Sequence, residues 1–379
     1  MQFVILAAGL GTRLMPLTAN KSKLMLAIAN KPFLEWTVDA VSKMGEVILV
    51  VRQDQKDIIE YFKDMCKFAY QEKPRGTADA IAVCERYVSG SFIVINGDEF
   101  IKKEDIESFS KLEGYNIAVS KCKDSSLFGN LSVDGGFVTE VSEKNFVGSG
   151  IVNAGMYMFD EKIFEAIKKT QLSARGEYEI TDALEILIKD GVKIKVFELS
   201  KWNTLGYPWD MLEINKELLD RTGSIIGKKV EIRPGSYIEE PVAIGDNSII
   251  GPNCYIRKYS SIGSNCKVGN AVEIKNSIIM DNTKIPHLSY VADSVIGSNC
   301  NIGAGTIFAN LRLDEKPISV KIKGKKINSN RKKLGAFVGD NVKFGVNVTV
   351  MPGKKIWPNL LIPPCIMIKD DVEKQPELL

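Results

Sequence analysis

Two hydrophobic periods divide this chain. In its first part, short apolar runs rich in β-branched residues alternate with stretches whose apolar positions recur at helical spacing. "FVILAA", "VILVV", "FIVING", "NIAVS" and "KIKVFEL" predict strands. "PFLEWTVDAVSKMG" and "YEITDALEILIKDG" predict helices, each ending at a glycine suited to a C-cap. This alternation predicts a layered α/β domain with a mainly parallel sheet. Ligands of such sheets bind beyond the carboxyl ends of the strands, so the loops after "FVILAA" and "FIVING" are the first places to look for a site.

From Ile226 onward the period becomes six. Aliphatic residues fall at Ile226, Ile232, Ile238, Ile244, Ile250, Ile256, Ile262, Val268 and Ile274. The pattern returns at Ile296, Ile302 and Phe308, and again from Val338 to Ile368. Glycine follows at Gly227, Gly245, Gly251, Gly263 and Gly269. A fixed short period of this kind predicts a solenoid. Each unit gives one flat strand and one corner, with the aliphatic side chain pointing to the axis and glycine at corners where φ is positive. Three units complete a triangular coil. Such repeats resemble the left-handed parallel β-helix, and the handedness comes from that resemblance. The change of period divides the chain into domains at residues 1–222 and 223–379.

Length and composition agree with two domains. A chain of 379 residues is too long for one ordinary core. Hydrophobic content of 45% and charged content of 26% suit a globular protein. The net charge of +3, from 50 basic and 47 acidic residues, argues against a nucleic-acid partner. No apolar run approaches the roughly 18 residues of a membrane span, and the first strand starts without a signal peptide. Seven cysteines without metal-like spacing suit a reducing cytoplasm. Cys254, Cys266 and Cys300 each follow a repeat aliphatic by four residues, which predicts small apolar packing inside the coil rather than thiol chemistry. "KIKGKKINSNRKKLG", residues 321–335, interrupts the repeat with many cations and predicts a solvated loop. A second use for it would be to reach a phosphorylated ligand of a neighbouring subunit.

The first chemical signal is "LAAGLGTRL", a strand end running into a loop with two glycines and an arginine. It lacks the third glycine of a dinucleotide fingerprint, which argues against NAD. The longer string "LAAGLGTRLMPLTANKSKLML" resembles the signature of sugar-nucleotidyltransferases. "QEKPRGTADA", "INGDEF", "FGNL", "SEKN", "VNAGMY" and "RGEYEITDA" match further elements in the order that family uses. The resemblance covers essentially the whole first half and implies a Rossmann-like fold. It places Leu6, Ala7, Ala8, Gly9, Gly11 and Thr12 at the nucleotide, with Arg13 and Lys23 as catalytic cations. Gln71, Gly76 and Thr77 fall in the base-recognition segment. Asp98 takes the position of a Mg²⁺ ligand, and Gly129, Glu143, Lys144 and Asn153 those of sugar contacts.

The chemistry of the implied reaction suits these residue types. A sugar 1-phosphate oxygen attacks the α-phosphorus of UTP or dTTP, and pyrophosphate leaves. Both reactants are anions, so catalysis is mostly positioning and charge neutralisation. Glycines let backbone N–H groups approach phosphate, and arginine forks onto its oxygens. A carboxylate at a strand end suits Mg²⁺. One position departs from the pattern. In "KWNTLGYPWD", Thr204 stands where the family has a second carboxylate or amide ligand, with Asn203 beside it.

The second signal is His287, the only histidine, in a break of the repeat. "GNAVEIK", "KIPHLSYVADSVIGSNCNIGAGT" and "ANLRLDEK" resemble the acetyltransferase half of bifunctional N-acetylglucosamine-1-phosphate uridylyltransferase/glucosamine-1-phosphate acetyltransferase and its archaeal relatives. The resemblance implies His287 as general base and acetyl-CoA as co-substrate. It assigns Arg257, Lys275, Tyr290, Asn301, Asn310 and Lys316 to the amino-sugar phosphate and Ala304 to acetyl-CoA. Leu311 departs from it, because the bacterial pattern has tyrosine there. Histidine suits the task because an amine must lose a proton as it attacks a thioester, and imidazole accepts one near neutral pH.

Together these features predict a cytoplasmic homotrimer with two activities on sugar 1-phosphates. Two other readings stay open: an acetyltransferase with a weakened first site, and a regulatory subunit that binds a nucleotide-sugar.

Overall fold

The structure, a computed structural model, describes residues 1–122, 125, 128–142 and 148–377. It divides into two compact units: Met1–Leu10 with Leu34–Thr204, and Gly11–Phe33 with Leu205–Leu379.

The first unit is built on a nine-stranded sheet. Its strands lie in the order Lys67–Tyr70, Glu46–Val51, Gln2–Leu6, Phe92–Asn96, Gly150–Phe159, Asn116–Cys122, Lys195–Glu198, Phe137–Ser142 and Asn130–Asp134. The first four run parallel, and Phe3, Val4 and Ile5 are fully buried, as a strand covered on both faces requires. Beyond Phe92–Asn96 the sheet is mixed rather than mainly parallel, because Gly150–Phe159 enters antiparallel and, of the strands past it, only Lys195–Glu198 and Asn116–Cys122 pair in parallel. The sequence expectation of parallel strands therefore holds for the part that carries the candidate site. Leu6 pairs with Asn96, so the loops that follow them leave the same edge of the sheet.

In the second unit, residues from Ile225 onward form three stacks of short parallel strands, the faces of a left-handed β-helix. One stack runs from Ile225–Ile226 to Lys355–Ile356, a second from Tyr237–Ile238 to Met367–Ile368, and the third carries Lys267–Asn270 and Lys284–His287. Ile244, Ile250, Ile256, Ile262, Val268 and Ile274 are all fully buried on the axis. Ile226 and Ile232 instead are 50% and 49% exposed, because the first coil has a neighbouring coil on one side only.

The glycine expectation needs correction. Of the five repeat glycines, only Gly251 has positive φ, at 105°. The others are required by close approach: a Cβ on Gly245 would stand 2.5 Å from the Ser264 nitrogen, and one on Gly269 would overlap the Pro286 carbonyl. Left-handed corners are taken mostly by asparagine, including Asn247, Asn265, Asn341 and Asn359. Asparagine tolerates that region, and here its amides also bond coil to coil, as Asn341 does to Asn359 at 2.9 Å. Cys254, Cys266 and Cys300 are buried, and burial pushes the Cys266 and Cys300 thiols up to about 12, so they pack as small apolar groups. The basic segment contains a β-hairpin, Ser319–Ile322 with Lys325–Asn328, seated by buried Ile318, Val320 and Ile322.

The segment Gly11–Phe33 and the helix Asp210–Thr222 belong to this second unit. Asn215, fully buried on that helix, accepts from the Ala29 N–H at 2.9 Å and the Ser261 hydroxyl at 2.6 Å, and donates to the Tyr259 carbonyl at 2.8 Å. Asn215→Ala leaves these groups unpaired in a dry place. It is expected to lower stability by about 1–3 kcal/mol, the cost of orphaned buried polar groups, as read by urea unfolding.

Candidate active sites

In the first unit the strand Gln2–Leu6 delivers the chain into the glycine loop. The loop's carbonyls are tied back: the Gln55 amide donates to the Ala7 carbonyl at 3.0 Å, and the Arg52 guanidinium donates to that of Ala8. The Ala7 N–H is used on Val50, at 2.8 Å, so donors available to a phosphate begin at Ala8. Around Gly9 nothing lies within 4 Å of where a Cβ would stand. The Gly97 N–H donates to the Leu6 carbonyl at 2.9 Å, which brings the turn holding Asp98 against the same loop. The next strand, Glu99–Ile101, pairs with Trp202–Thr204, and Thr204 stands opposite Glu99. Glu99 is buried and accepts from the Trp202 indole at 2.8 Å, a structural bond. Asn203 faces away from Thr204, as neighbours on a strand do, and its amide nitrogen is buried without a hydrogen-bond partner.

Among the described residues no group of three or more His, Cys, Asp or Glu side chains comes together. What the site offers is a half-buried carboxylate, Asp98, with a hydroxyl, Thr204, opposite its neighbour. Hard oxygen donors in so small a number fit Mg²⁺, which keeps waters and takes further ligands from phosphates.

Gln71 is buried and donates to the Gly76 carbonyl at 3.2 Å and to Asp79 at 2.8 Å. Gly76, with φ 112°, lies where a Cβ would meet the Tyr178 carbonyl at 2.3 Å. The Thr77 hydroxyl accepts from the Ile180 N–H at 3.0 Å, at the start of the helix Ile180–Lys189. "RGTADA" and "RGEYEITDA" are thus locked together, which explains why both occur in the pattern. The Asn153 N–H donates to the Gly129 carbonyl at 2.9 Å, and the Asn153 amide donates to the Tyr157 hydroxyl at 2.8 Å. Glu143 and Lys144 lie outside the described residues.

In the second unit Gly11 has φ 64°, and a Cβ there would stand 2.7 Å from Cβ of Lys23. The Thr12–Leu14 turn follows, with Thr12 and Arg13 exposed and Lys23 buried. The Arg13 guanidinium lies 5.3 Å from the ring of Tyr207, which stacks on Trp209 at 4.6 Å. Asp210 accepts from the Gly206 and Tyr207 N–H groups at 2.9 and 2.6 Å. Burial pushes its pKa up to about 6, against those two bonds and the charges of Lys23 and Arg13. In this stretch the sequence draws attention to Thr204 as the position of a metal ligand, whereas Asp210 is the buried carboxylate. Its signal was present as a carboxylate after Gly-Tyr-Pro-Trp at a helix start.

The proposed acetyl-transfer residues fall at several places on the coil. Arg257, Lys275 and Tyr290 lie on the second stack, where Glu273 pairs with Tyr290. Arg257 donates to Glu273 at 3.2 Å, and its buried Nε has no hydrogen-bond partner. Lys275 is held below the usual lysine range by burial, opposed by Asp293 and reinforced by the charges of Lys333 and Arg257. His287 is exposed and ends the strand Lys284–His287 of the third stack, opposite Asn270. Asn301 pairs with Lys284, so Ala304 comes one coil further along the same corner as His287. Asn310 is buried and its amide is spent on Asp293 at 2.6 Å. Lys316 is exposed on a loop away from these residues in sequence. Asp293, itself buried and also bonded to Asn276 at 2.6 Å, is a second residue that sequence reasoning missed, although "YVADS" contains it.

Family models match the chain over residues 2–221, as nucleotidyl transferase, and residues 238–359, as the GMPPB C-terminal domain. The bifunctional protein GlmU of Methanocaldococcus jannaschii is 46% identical over 98% of this chain and 96% of the relative. The chain belongs to the bifunctional sugar-1-phosphate nucleotidylyltransferase/acetyltransferase family. A member of that name from Sulfurisphaera tokodaii is 37% identical over 98% of each chain. A putative glucose-1-phosphate thymidylyltransferase structure from Bacillus anthracis shares 28% identity with a TM-score of 0.52, over 59% of this chain and 96% of that one. Membership bears out the expectation of an enzyme with a nucleotidyl-transfer and an acetyl-transfer function. Among the described residues no helix is long and apolar enough to cross a membrane.

Proposed function

We propose that this chain transfers the nucleotidyl group of UTP or dTTP to a sugar 1-phosphate within residues 1–222, and acetylates glucosamine 1-phosphate within residues 223–379. The observation that carries the reading is the pairing of Leu6 with Asn96, which gives the glycine loop and Asp98 a common edge of the sheet. Amides from Ala8 to Gly11, with Arg13 and Lys23, neutralise the triphosphate. The sugar phosphate oxygen forms a bond to the α-phosphorus, and the bond to pyrophosphate breaks. Asp98 would hold Mg²⁺, with Thr204 as a weak second donor, and the ion supplies charge neutralisation across the phosphates. Gln71, Gly76 and Thr77 shape the base site; Gly129, Glu143, Lys144 and Asn153 serve the sugar.

At the coil corner His287 takes a proton from the amine as its nitrogen attacks the acetyl-CoA carbonyl. The carbon–sulfur bond then breaks and the thiol leaves. Arg257, Lys275 and Tyr290 hold the amino-sugar phosphate, and Ala304 meets the acetyl group. Asn310 acts through Asp293 on Lys275. Asn301 and Lys316 complete the acceptor site from a second copy of the chain, in a homotrimer. A reducing cytoplasm suits the buried free thiols.

A panel of nucleoside triphosphates against sugar 1-phosphates, read by pyrophosphate release, tests the first reaction. Activity with UTP or dTTP is expected, and none with any pair would overturn the assignment. A second reading rests on Thr204: an acetyltransferase with a weakened first site. Thr204→Asp tests whether that position limits metal binding. It is expected to raise nucleotidyl transfer and lower the Mg²⁺ concentration for half-maximal rate, whereas unchanged metal dependence would mean another residue already serves.

A further inference from the structure

The hairpin that interrupts the coil borders a charged cavity. Within the second unit a cavity of about 220 Å³ is lined by Arg13, Lys321, Lys323, Lys355, Trp357 and Glu373, among others. Four of these carry positive charge and one negative. Val320 and Ile322 are buried, so strand alternation turns Lys321 outward, and Lys323 is exposed on the turn that follows. Among the described residues neither of these two lysines forms an ion pair. Lys355 is almost buried, lies over the Trp357 ring at 4.7 Å and has Asp371 at 3.7 Å. Burial, at a cost to the charged form, holds Lys355 below the usual lysine range, opposed by the charges of Asp371 and Glu373 and reinforced by that of Lys321. An anion there would relieve that cost.

Arg13 decides which anion. Under the function proposed above, on which this inference rests, it forks onto the triphosphate. We propose that Lys321 and Lys323 continue this cation set and that the cavity receives the pyrophosphate end of the nucleoside triphosphate, so that the β-helix half of the chain supplies binding residues for nucleotidyl transfer. The hairpin then has a reason to break the repeat where it does, and its lysines a reason to stand without carboxylates.

Full-length Lys321→Met/Lys323→Met tests this. Two charge-assisted contacts are lost, so the KM for the nucleoside triphosphate and the Kd for inorganic pyrophosphate by calorimetry are each expected to rise roughly tenfold or more, with kcat within a few-fold. Lys228→Met/Lys229→Met, an equal loss of charge on the first coil, should leave both constants unchanged. Unchanged constants in the hairpin variant would overturn the proposal. So would weaker binding of orthophosphate or pyrophosphate with the triphosphate KM unmoved, because the cavity would then be a separate effector site. A wild-type chain without nucleotidyl transfer would sink the proposed function, and the pyrophosphate titration would still decide whether the cavity binds this anion.

Discussion

Replacing His287 with alanine is expected to lower acetyl transfer by roughly a hundredfold or more, the usual range for loss of a general base. The side chain is exposed at the end of its strand, and the residue's backbone carbonyl accepts from the Ser289 hydroxyl at 2.8 Å. The coil's core is built from other positions, such as Ile285 and Val291, both fully buried. Folding and nucleotidyl transfer should therefore be nearly unchanged. Thiol release from acetyl-CoA measures the effect. Because the chain has one histidine, its imidazole can be titrated by proton NMR without overlap and compared with the acidic limb of kcat/KM. Near-full activity in the variant would remove His287 from the mechanism.

Asp98→Ala is expected to abolish nucleotidyl transfer while acetyl transfer stays within a few-fold. Asp98 is the carboxylate on the turn that meets the glycine loop, and Thr204 offers only a neutral oxygen as its companion. Without the carboxylate a Mg²⁺ ion would have no charged protein ligand there, and the phosphates would lose the charge that offsets their repulsion. Pyrophosphate release and thiol release, assayed on one preparation, separate the outcomes. Surviving nucleotidyl transfer would refute the metal assignment, and loss of both activities would mean that the substitution unfolds the chain or that the sites are shared.

The period of six was the most legible feature of the sequence, because one side chain in six has a fixed inward direction and nowhere else to go. It read Ile244 to Ile274 as core without error, and failed only at Ile226 and Ile232, where no coil covers the end. Corner chemistry was less legible. Glycine serves close coil contact more than backbone angle, and the left-handed corners fall to asparagine, whose ladder depends on coils being stacked. Contacts between distant segments were not legible at all. Lys21 pairs with Asp340 at 3.1 Å, and the Asn30 amide donates to the Ile262 carbonyl at 2.8 Å. Nothing local to either partner announces these bonds, yet they fix the segment that carries Arg13 and Lys23 on the coil. For the same reason the hairpin lysines read as a solvated loop, since their nearness to Arg13 exists only in three dimensions.

Under the proposed function, one chain performs both transfers on the same sugar phosphate. The most direct test gives the purified full-length protein glucosamine 1-phosphate, acetyl-CoA, UTP and Mg²⁺ together, and follows thiol release, pyrophosphate release and the product by mass spectrometry. The account predicts both releases and a nucleoside-diphosphate N-acetylhexosamine, with the product lost in either His287→Ala or Asp98→Ala. Release of neither thiol nor pyrophosphate by the wild-type chain would contradict it.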